Sequence, residues 1–509
     1  MKVVHLTTTC GLGGAGKAAM RLHEGLLALE IDSQVVTRKS AITHASISEV
    51  DSPLFEVADH FENCVLNAER PQGATIISAT PVEVDILSHP WVQGADIVHL
   101  HWVASFLDAA CLSSLHQAGK AVFWTFHDQR PYTGGCHFTA GCEKYSGSCE
   151  ACPQMPEHLH PLAMHNRRTL GSAFQKFSPQ VICGSQQAMN QALGSGLFNS
   201  QQIHMVPYGV NTDLFKPSTT AADCAEGKIQ LLFGCHSIEE KRKGFEHLVT
   251  ALRHCALSPL FHELVKSGRL ELVTFGQDSD ALYQDFPCPV RRLGAIHQEA
   301  VAEAYREASV YLCPTLEDAG PQVVVEALAC ACPVIAYPTG VVPDVITHGV
   351  NGLIVSPIDS SALAQTIVNY ISQPSLRQRL REGARIEHGA ISLLDAARQT
   401  LNLYEAHRRH PSLTPLSDSA DQPLSSPYLL PASIKPAYAV HVLSFLELSF
   451  GRLHKSLKTE IQKKEALKRK LHETKHKLEN LKANRQLKKS RSLFTRILAT
   501  FKTLVFNRN

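Results

Sequence analysis

The sequence has no run of about 18 uninterrupted apolar residues, so no membrane-spanning helix is expected. Nothing near Met1 has the build of a secretory leader, because Lys2 opens a short apolar-rich run that soon meets Gly11. The 15 cysteines are therefore expected as reduced thiols in a cytoplasm, not as a disulfide framework. Net charge is nearly missing too, at +2 over 509 residues, but the balance is uneven. Residues 451–509 hold 18 Lys and Arg against 4 Asp and Glu, a net +14, which leaves the preceding 450 residues at −12. Such a tail points to an anionic partner and says nothing of the chemistry of the body. A content of 44% hydrophobic and 19% charged residues is ordinary for a globular protein. The length suits about three folding units.

The body is organised around residues 310–355. Residues 310–313 read as a buried strand, and a polar loop containing Glu317, Asp318 and Gly320 follows. A helix is expected to start at Pro321, carry Glu326 and end near Ala331, with a second strand at 334–337. Strand, loop, helix, strand is a βαβ unit of a parallel sheet. Ligands of such sheets bind outside the carboxyl ends of the strands, where helix N-termini point N–H groups at anions. Asp318 and Glu326, eight residues apart, can then edge the same crevice.

The first half repeats the theme. Residues 3–6 and 34–37 read as strands, joined by a glycine-rich loop (7–16) and a helix over 17–29. The loop admits three readings. No acid follows the second strand to hold a ribose, as a dinucleotide fingerprint would want. Ala18 stands where a P-loop needs Ser or Thr for Mg²⁺. The favoured reading is a loop, Gly13-Gly14-Ala15, that lets a ligand approach backbone and helix N-terminus. Strands over 95–102 and 121–128 end in polar residues at the active-site edge, the second of them in His127-Asp128. Cys136, Cys142, Cys149 and Cys152 follow in a Gly-rich segment (130–156). They read as a structural zinc site, as free thiols packing the loop, or as disulfides. In the second half, Lys241-Arg242-Lys243 precedes Gly244 and a helix, an arrangement suited to a diphosphate.

The Asp318…Glu326 unit resembles the acidic-x7-Glu motif of the retaining glycosyltransferases of family 4, which have the GT-B fold. The glycine loop, His127-Asp128 and Lys243-Gly244 occur in the order and spacing of that fold. Together with the cysteine segment, His127-Asp128 resembles the colanic-acid type of bacterial polysaccharide glycosyltransferases, in which an Asp at the position of Asp318 is familiar. The resemblance covers about residues 1–408. It implies an α/β architecture of two facing Rossmann-like doubly wound domains, an acceptor domain (1–205) and a nucleotide-sugar donor domain (206–410), whose last helix crosses back onto the first. It implies Glu326 on the donor ribose, Asp318 or Glu317 on the donor sugar, and His127 close to the transferred group. Arg242 and Lys243 would face the diphosphate, and Gly13, Gly14, Ala15, Asp128 and Gly320 would line the donor site. No cofactor is needed for transfer, and the acceptor would be a glycan or a lipid-linked glycan in envelope or exopolysaccharide synthesis.

Residues 411–436, rich in Pro and Ser, read as a linker. The basic helical tail (437–509) carries a broken near-heptad, Leu453 to Leu481, that suits a coiled coil and a homo-oligomer. Its last stretch, with Phe494 and Phe501 among Arg and Lys, reads as a membrane-surface helix at the inner face of the cell membrane rather than a nucleic-acid binder. Two rival functions stay open: a nucleotide-sugar-modifying enzyme of the same fold, such as an epimerase, and an inactive membrane scaffold.

Overall fold

Val3, Val4 and Leu6 are almost wholly buried, as are Leu231, Leu232 and Phe233 in the second half. Such runs suit strands covered on both faces, and parallel sheets are built from them. The computed structural model describes residues 1–409 except 69, 72–73, 80–83, 177–178, 219–227 and 387–390. The expected linker (411–436) and basic tail (437–509), with the coiled-coil and membrane-surface readings, lie outside the described residues.

Two parallel sheets form the frame. The first contains β1 (Lys2–Cys10), β2 (Asp32–Ser40), β3 (Ile47–Glu49), β4 (Ile97–Leu100), β5 (Ala121–Phe126), β6 (Gln180–Cys183) and β7 (Ile203–Met205). Their order is β3-β2-β1-β4-β5-β6-β7, every pair parallel. The second contains β8 (Ile229–Ser237), β9 (Leu270–Gln277), β10 (Val290–Arg292), β11 (Val310–Cys313), β12 (Val334–Ala336) and β13 (Gly352–Ile354). Their order is β10-β9-β8-β11-β12-β13, again all parallel. In each sheet the order reverses beside the first strand, between β1 and β4 and between β8 and β11. Ligand crevices of open α/β sheets lie outside the carboxyl ends of the strands at such a point.

The helix Leu393–Arg409 returns to the first domain, where the Tyr404 ring packs edge-on against Phe123 at 4.7 Å. Among the described residues no helix is long and apolar enough to cross a membrane.

Two helix ends differ from expectation. The first helix is Gly13–Ala28, four residues earlier than the expected start at Lys17. Gly13, Gly14 and Ala15 are its first turn, not a loop before it; the low helix propensity of glycine hides that turn in the sequence. The helix expected from Pro321 to about Ala331 is Gln322–Ala329, with Pro321 as its N-cap. Its C-terminus closes with the Ala331 N–H on the Leu328 carbonyl (2.9 Å) and the Cys332 N–H on the Ala327 carbonyl (2.9 Å). This double closure puts Ala331 in the left-handed region, at φ 58°, where glycine is favoured. Ala331→Gly is therefore expected to stabilise the second domain by about 1 kcal/mol, the strain of a Cβ in that conformation. A higher Tm checks it; a lower one would mean that packing of the buried methyl outweighs the strain.

Candidate active site

The catalytic and donor-site candidates singled out in the sequence converge on one cleft of about 1690 Å³ between the two sheets, whereas of the four cysteines only Cys142 lines it. Each candidate comes from the carboxyl end of a strand. β1 leads to Gly13, Gly14 and Ala15, the first turn of a helix whose N-cap Leu12 makes no side-chain cap, at an edge of the cleft where helix N–H groups suit an anion. β5 leads to His127 and Asp128, β8 to Arg242 and Lys243, and β11 to Glu317, Asp318 and Gly320. Glu326, on the helix after β11, lines the same space.

The charges are distributed unevenly between the three acids. Asp318 Oδ2 accepts from Lys243 Nζ at 2.6 Å and from Arg242 Nη1 at 2.8 Å. Burial pushes the Asp318 carboxyl up, but the two cations overrule it and hold it well below the usual carboxylate range. Arg242 also pairs with Glu240 and lies 4.1 Å above the Phe138 ring of the first domain. Glu317 faces that domain as well: its oxygens accept from the Thr139 N–H and hydroxyl (both 2.9 Å) and from the Ala140 N–H (2.8 Å). Glu326 Oε1 accepts from Arg21 Nη2 at 2.7 Å, and the same guanidinium donates through Nη1 to Gln322 Oε1 at 2.6 Å. Of the two neighbouring acids, Glu317 thus docks one domain on the other, while Asp318 faces the basic turn.

His127 and Asp128 part company. His127 is half-buried in the cleft wall, its ring stacked on Tyr208 at 5.4 Å, and burial pushes its imidazole down to about 4. Asp128 is buried and engaged on both oxygens. Oδ2 accepts from Trp102 Nε1 (2.7 Å) and meets His137 Nδ1 (2.5 Å), while Oδ1 accepts from the Arg130 N–H (3.1 Å). His137 Nε2 in turn lies 2.9 Å from the Ser78 hydroxyl. Asp128 therefore ties the cysteine-bearing segment to the end of β5.

The four cysteines of that segment are unpaired. Cys136 and Cys149 are buried beside Met155, Leu159 and Leu162, and Cys142 and Cys152 are half-buried. Burial pushes the Cys149 thiol up to about 11. Among the described residues only His5, His99 and His101 bring three ligand atoms within 4.8 Å of one another, so the sulfurs do not converge into a ready metal shell. Each of the four sulfurs lies within electrostatic reach of the other three.

Residues 237–387 match the family of glycosyl transferases group 1. The group 1 domain spans the basic turn, the acid loop and Glu326. The chain is similar to the D-inositol 3-phosphate glycosyltransferase of Xylanimonas cellulosilytica, 28% identical over 235 residues, 42% of this chain and 53% of that one. It is similar to the putative colanic acid biosynthesis glycosyl transferase WcaC of Escherichia coli, 22% identical over 333 residues, 62% of this chain and 76% of that one. It spans about half the length of the first of these and of an MMP alpha-(1->4)-mannosyltransferase of Mycolicibacterium hassiacum. Among solved structures, HepE of Anabaena in complex with UDP-glucose aligns with a TM-score of 0.53 at 16% identity, over 80% of this chain and 100% of that one. That likeness is one of fold: two parallel-sheet Rossmann-like domains in the GT-B arrangement.

Sequence reasoning missed Arg21, Thr139, Trp102, His137 and Tyr208. Arg21 lies 305 residues from Glu326, and nothing local marks it as a partner. Tyr208 carries no local signal of its role: its hydroxyl donates to the Phe126 carbonyl (3.0 Å) and its ring stacks on His127. Asn211 is placed as its type suggests, capping the following turn by accepting from the Asp213 and Leu214 N–H groups (3.1 and 3.2 Å).

Proposed function

We propose that the protein is a retaining glycosyltransferase that moves a sugar from a nucleotide-sugar to a glycan or lipid-linked acceptor in bacterial polysaccharide synthesis. One observation carries this reading. An uncapped helix start, an imidazole, two cations and a buried carboxylate face one cleft between two Rossmann-like domains, in a chain with a group 1 domain. The donor diphosphate would take Lys243, Arg242 and the N–H groups at the Gln322–Ala329 helix start. Lys243 has three N–H bonds, enough for Asp318 and a phosphate oxygen at once. Glu326 would hold the ribose hydroxyls.

In the transfer, the bond from the anomeric carbon to the leaving phosphate oxygen breaks and its electron pair stays with the diphosphate. The acceptor oxygen bonds to the same face of that carbon, and its proton passes to the leaving oxygen. Fixed cations stabilise the departing charge in a cleft of low dielectric. No carboxylate nucleophile is assigned, since Asp318 is held by two cations and Glu326 by Arg21. The +14 tail, outside the described residues, would keep the enzyme at an anionic leaflet, where each basic residue contributes roughly 1 kcal/mol.

A panel of nucleotide-sugars tests the reading, with thermal shift, nucleoside diphosphate release and the anomeric configuration of the product as readouts. One donor is expected to stabilise the protein, release its diphosphate and give a product of unchanged configuration. Sugar inversion without transfer would mark an epimerase. No response to any donor by the folded protein would overturn the reading in favour of a scaffold.

A further inference from the structure

The first domain buries a row of histidines that the transfer steps above do not use. His5 in β1 pairs in register with His99 in β4, and His101 follows two residues later. All three are almost fully buried. His5 Nδ1 lies 3.0 Å from His101 Nε2, and His101 Nδ1 lies 3.1 Å from His127 Nε2. Three imidazoles thus form one hydrogen-bonded chain that starts on β1 and ends in the cleft.

The chain has a direction. Burial holds all three rings neutral near pH 7. A neutral imidazole has one N–H and one lone pair, so fixing one tautomer fixes its neighbours. Among the described residues, His5 Nε2 is one of two buried side-chain polar atoms without a partner. If the chain ran inward from His127, that atom would be an N–H with no acceptor. If it runs outward, the atom is a bare lone pair. Buried N–H groups without acceptors are the rarer case.

We propose that His5 and His101 are positioning residues that hold His127 as its Nδ1–H tautomer. His5 Nδ1–H donates to His101 Nε2, and His101 Nδ1–H donates to His127 Nε2. The proton of His127 is then on Nδ1, which bonds to nothing among the described residues and is not a buried orphan. That atom is a fixed neutral donor for an oxygen in the cleft. On the transferase reading, on which this assignment of purpose rests, it would serve a hydroxyl of the transferred sugar.

A metal held by His5, His99 and His101 is the rival. Their rings lie close to parallel, with His99 and His101 stacked at 4.5 Å and 16°, and His5 tilted 33° and 37° to them. A metal ion lies in the plane of each ligating ring, and stacked rings share no such point. His99 is also engaged at both nitrogens, by the Tyr404 hydroxyl and by Thr125 Oγ1 at 2.7 Å.

The test is a long-range ¹H–¹⁵N correlation spectrum of the ligand-free full chain with ¹⁵N-labelled histidine. His127 is expected as the Nδ1–H tautomer near neutral pH. In His101→Phe it should change to the Nε2–H form that an unconstrained histidine side chain prefers. His5→Gln keeps an amide N–H for His101 Nε2, so it should leave His127 as in the wild type. With the donor found by the panel, His101→Phe should lower kcat about tenfold, the worth of one hydrogen bond, with KM little changed. An Nε2–H tautomer in the wild type would overturn the proposal. So would stoichiometric Zn²⁺ uptake that moves the His5, His99 and His101 signals together. Because the tautomer is read without donor, failure of the transferase reading would show separately, in the panel.

Discussion

Glu326→Ala is expected to lower kcat/KM for the donor by about 10²–10³-fold, because a carboxylate on a ribose diol makes two hydrogen bonds to a charged group. The structure complicates the experiment in a useful way. Glu326 Oε1 is already taken by Arg21 of the first domain, and both side chains are about one-tenth exposed, at 10% and 9%. Among the described residues nothing bonds to Oε2, which leaves that oxygen for a ligand in the cleft. Removing the carboxylate also leaves Arg21 without its anion, and breaking a buried pair costs roughly 3–5 kcal/mol where the charge stays buried. Here the pair spans the domains, so some opening can rehydrate Arg21 and reduce the loss. Arg21→Met separates the two effects, since it keeps Glu326 but removes the clamp. The donor is expected to stabilise Arg21→Met in a thermal shift and not Glu326→Ala. Equal loss of donor response in both variants would mean that the pair only closes the domains and that the ribose is held elsewhere.

The same pair marks the limit of what the sequence reveals here. Runs such as Val3-Val4-His5-Leu6 and Ile229-Gln230-Leu231-Leu232 announce buried parallel strands, and both sheets contain them where expected. The spacing of Asp318 and Glu326 is local, within one βαβ unit, so it is legible without the fold. The partners are not. Arg21 meets Glu326 across 305 residues, and Glu317 meets Thr139 across 178. No periodicity records such contacts, because they depend on how two separately built sheets face each other. His99 and His101 illustrate an intermediate case. Their i, i+2 spacing is that of one strand face, but the hydrogen-bonded chain through His101 needs His5, 96 residues before it, and His127, 26 after it, while His99 bonds to Tyr404 and Thr125 instead. The first helix shows the opposite failure. Gly13 and Gly14 argue against a helical turn on propensity, yet Gly13 enters the helix in the left-handed region (φ 63°), where glycine is favoured, and Gly14 is not among the positive-φ residues and has an empty Cβ position, so the turn forms at little cost.

Gly244→Ala is expected to destabilise the protein by more than about 4 kcal/mol, a range reached only through a specific structural conflict. Gly244 ends the turn Lys241–Lys243 and starts the helix Phe245–Cys255 in the left-handed region, at φ 74° and ψ 22°. An alanine would bear the usual strain of that conformation, roughly 1–2 kcal/mol. It would also place its Cβ 1.8 Å from the Pro314 carbonyl oxygen and 2.7 Å from the carbonyl carbon. That oxygen belongs to the backbone leaving β11, and no side-chain rotation relieves the overlap. The two segments are joined there on purpose of geometry: the Leu316 N–H donates to the Arg242 carbonyl at 2.8 Å, and Asp318 reaches back to Arg242 and Lys243. Moving the basic turn away from Pro314 by more than an ångström would therefore open the ion pairs that set the charge of the cleft. Gly268→Ala is the matched control in the same domain. Gly268 has nearly the same backbone angle, φ 69°, and nothing within 4 Å of the Cβ position, so only the strain is expected. Thermal unfolding of the two variants side by side decides the point. A Tm for Gly244→Ala close to that of Gly268→Ala would show that the contact between the basic turn and the acid loop is slack, and that the cations are not held to Asp318 by the backbone.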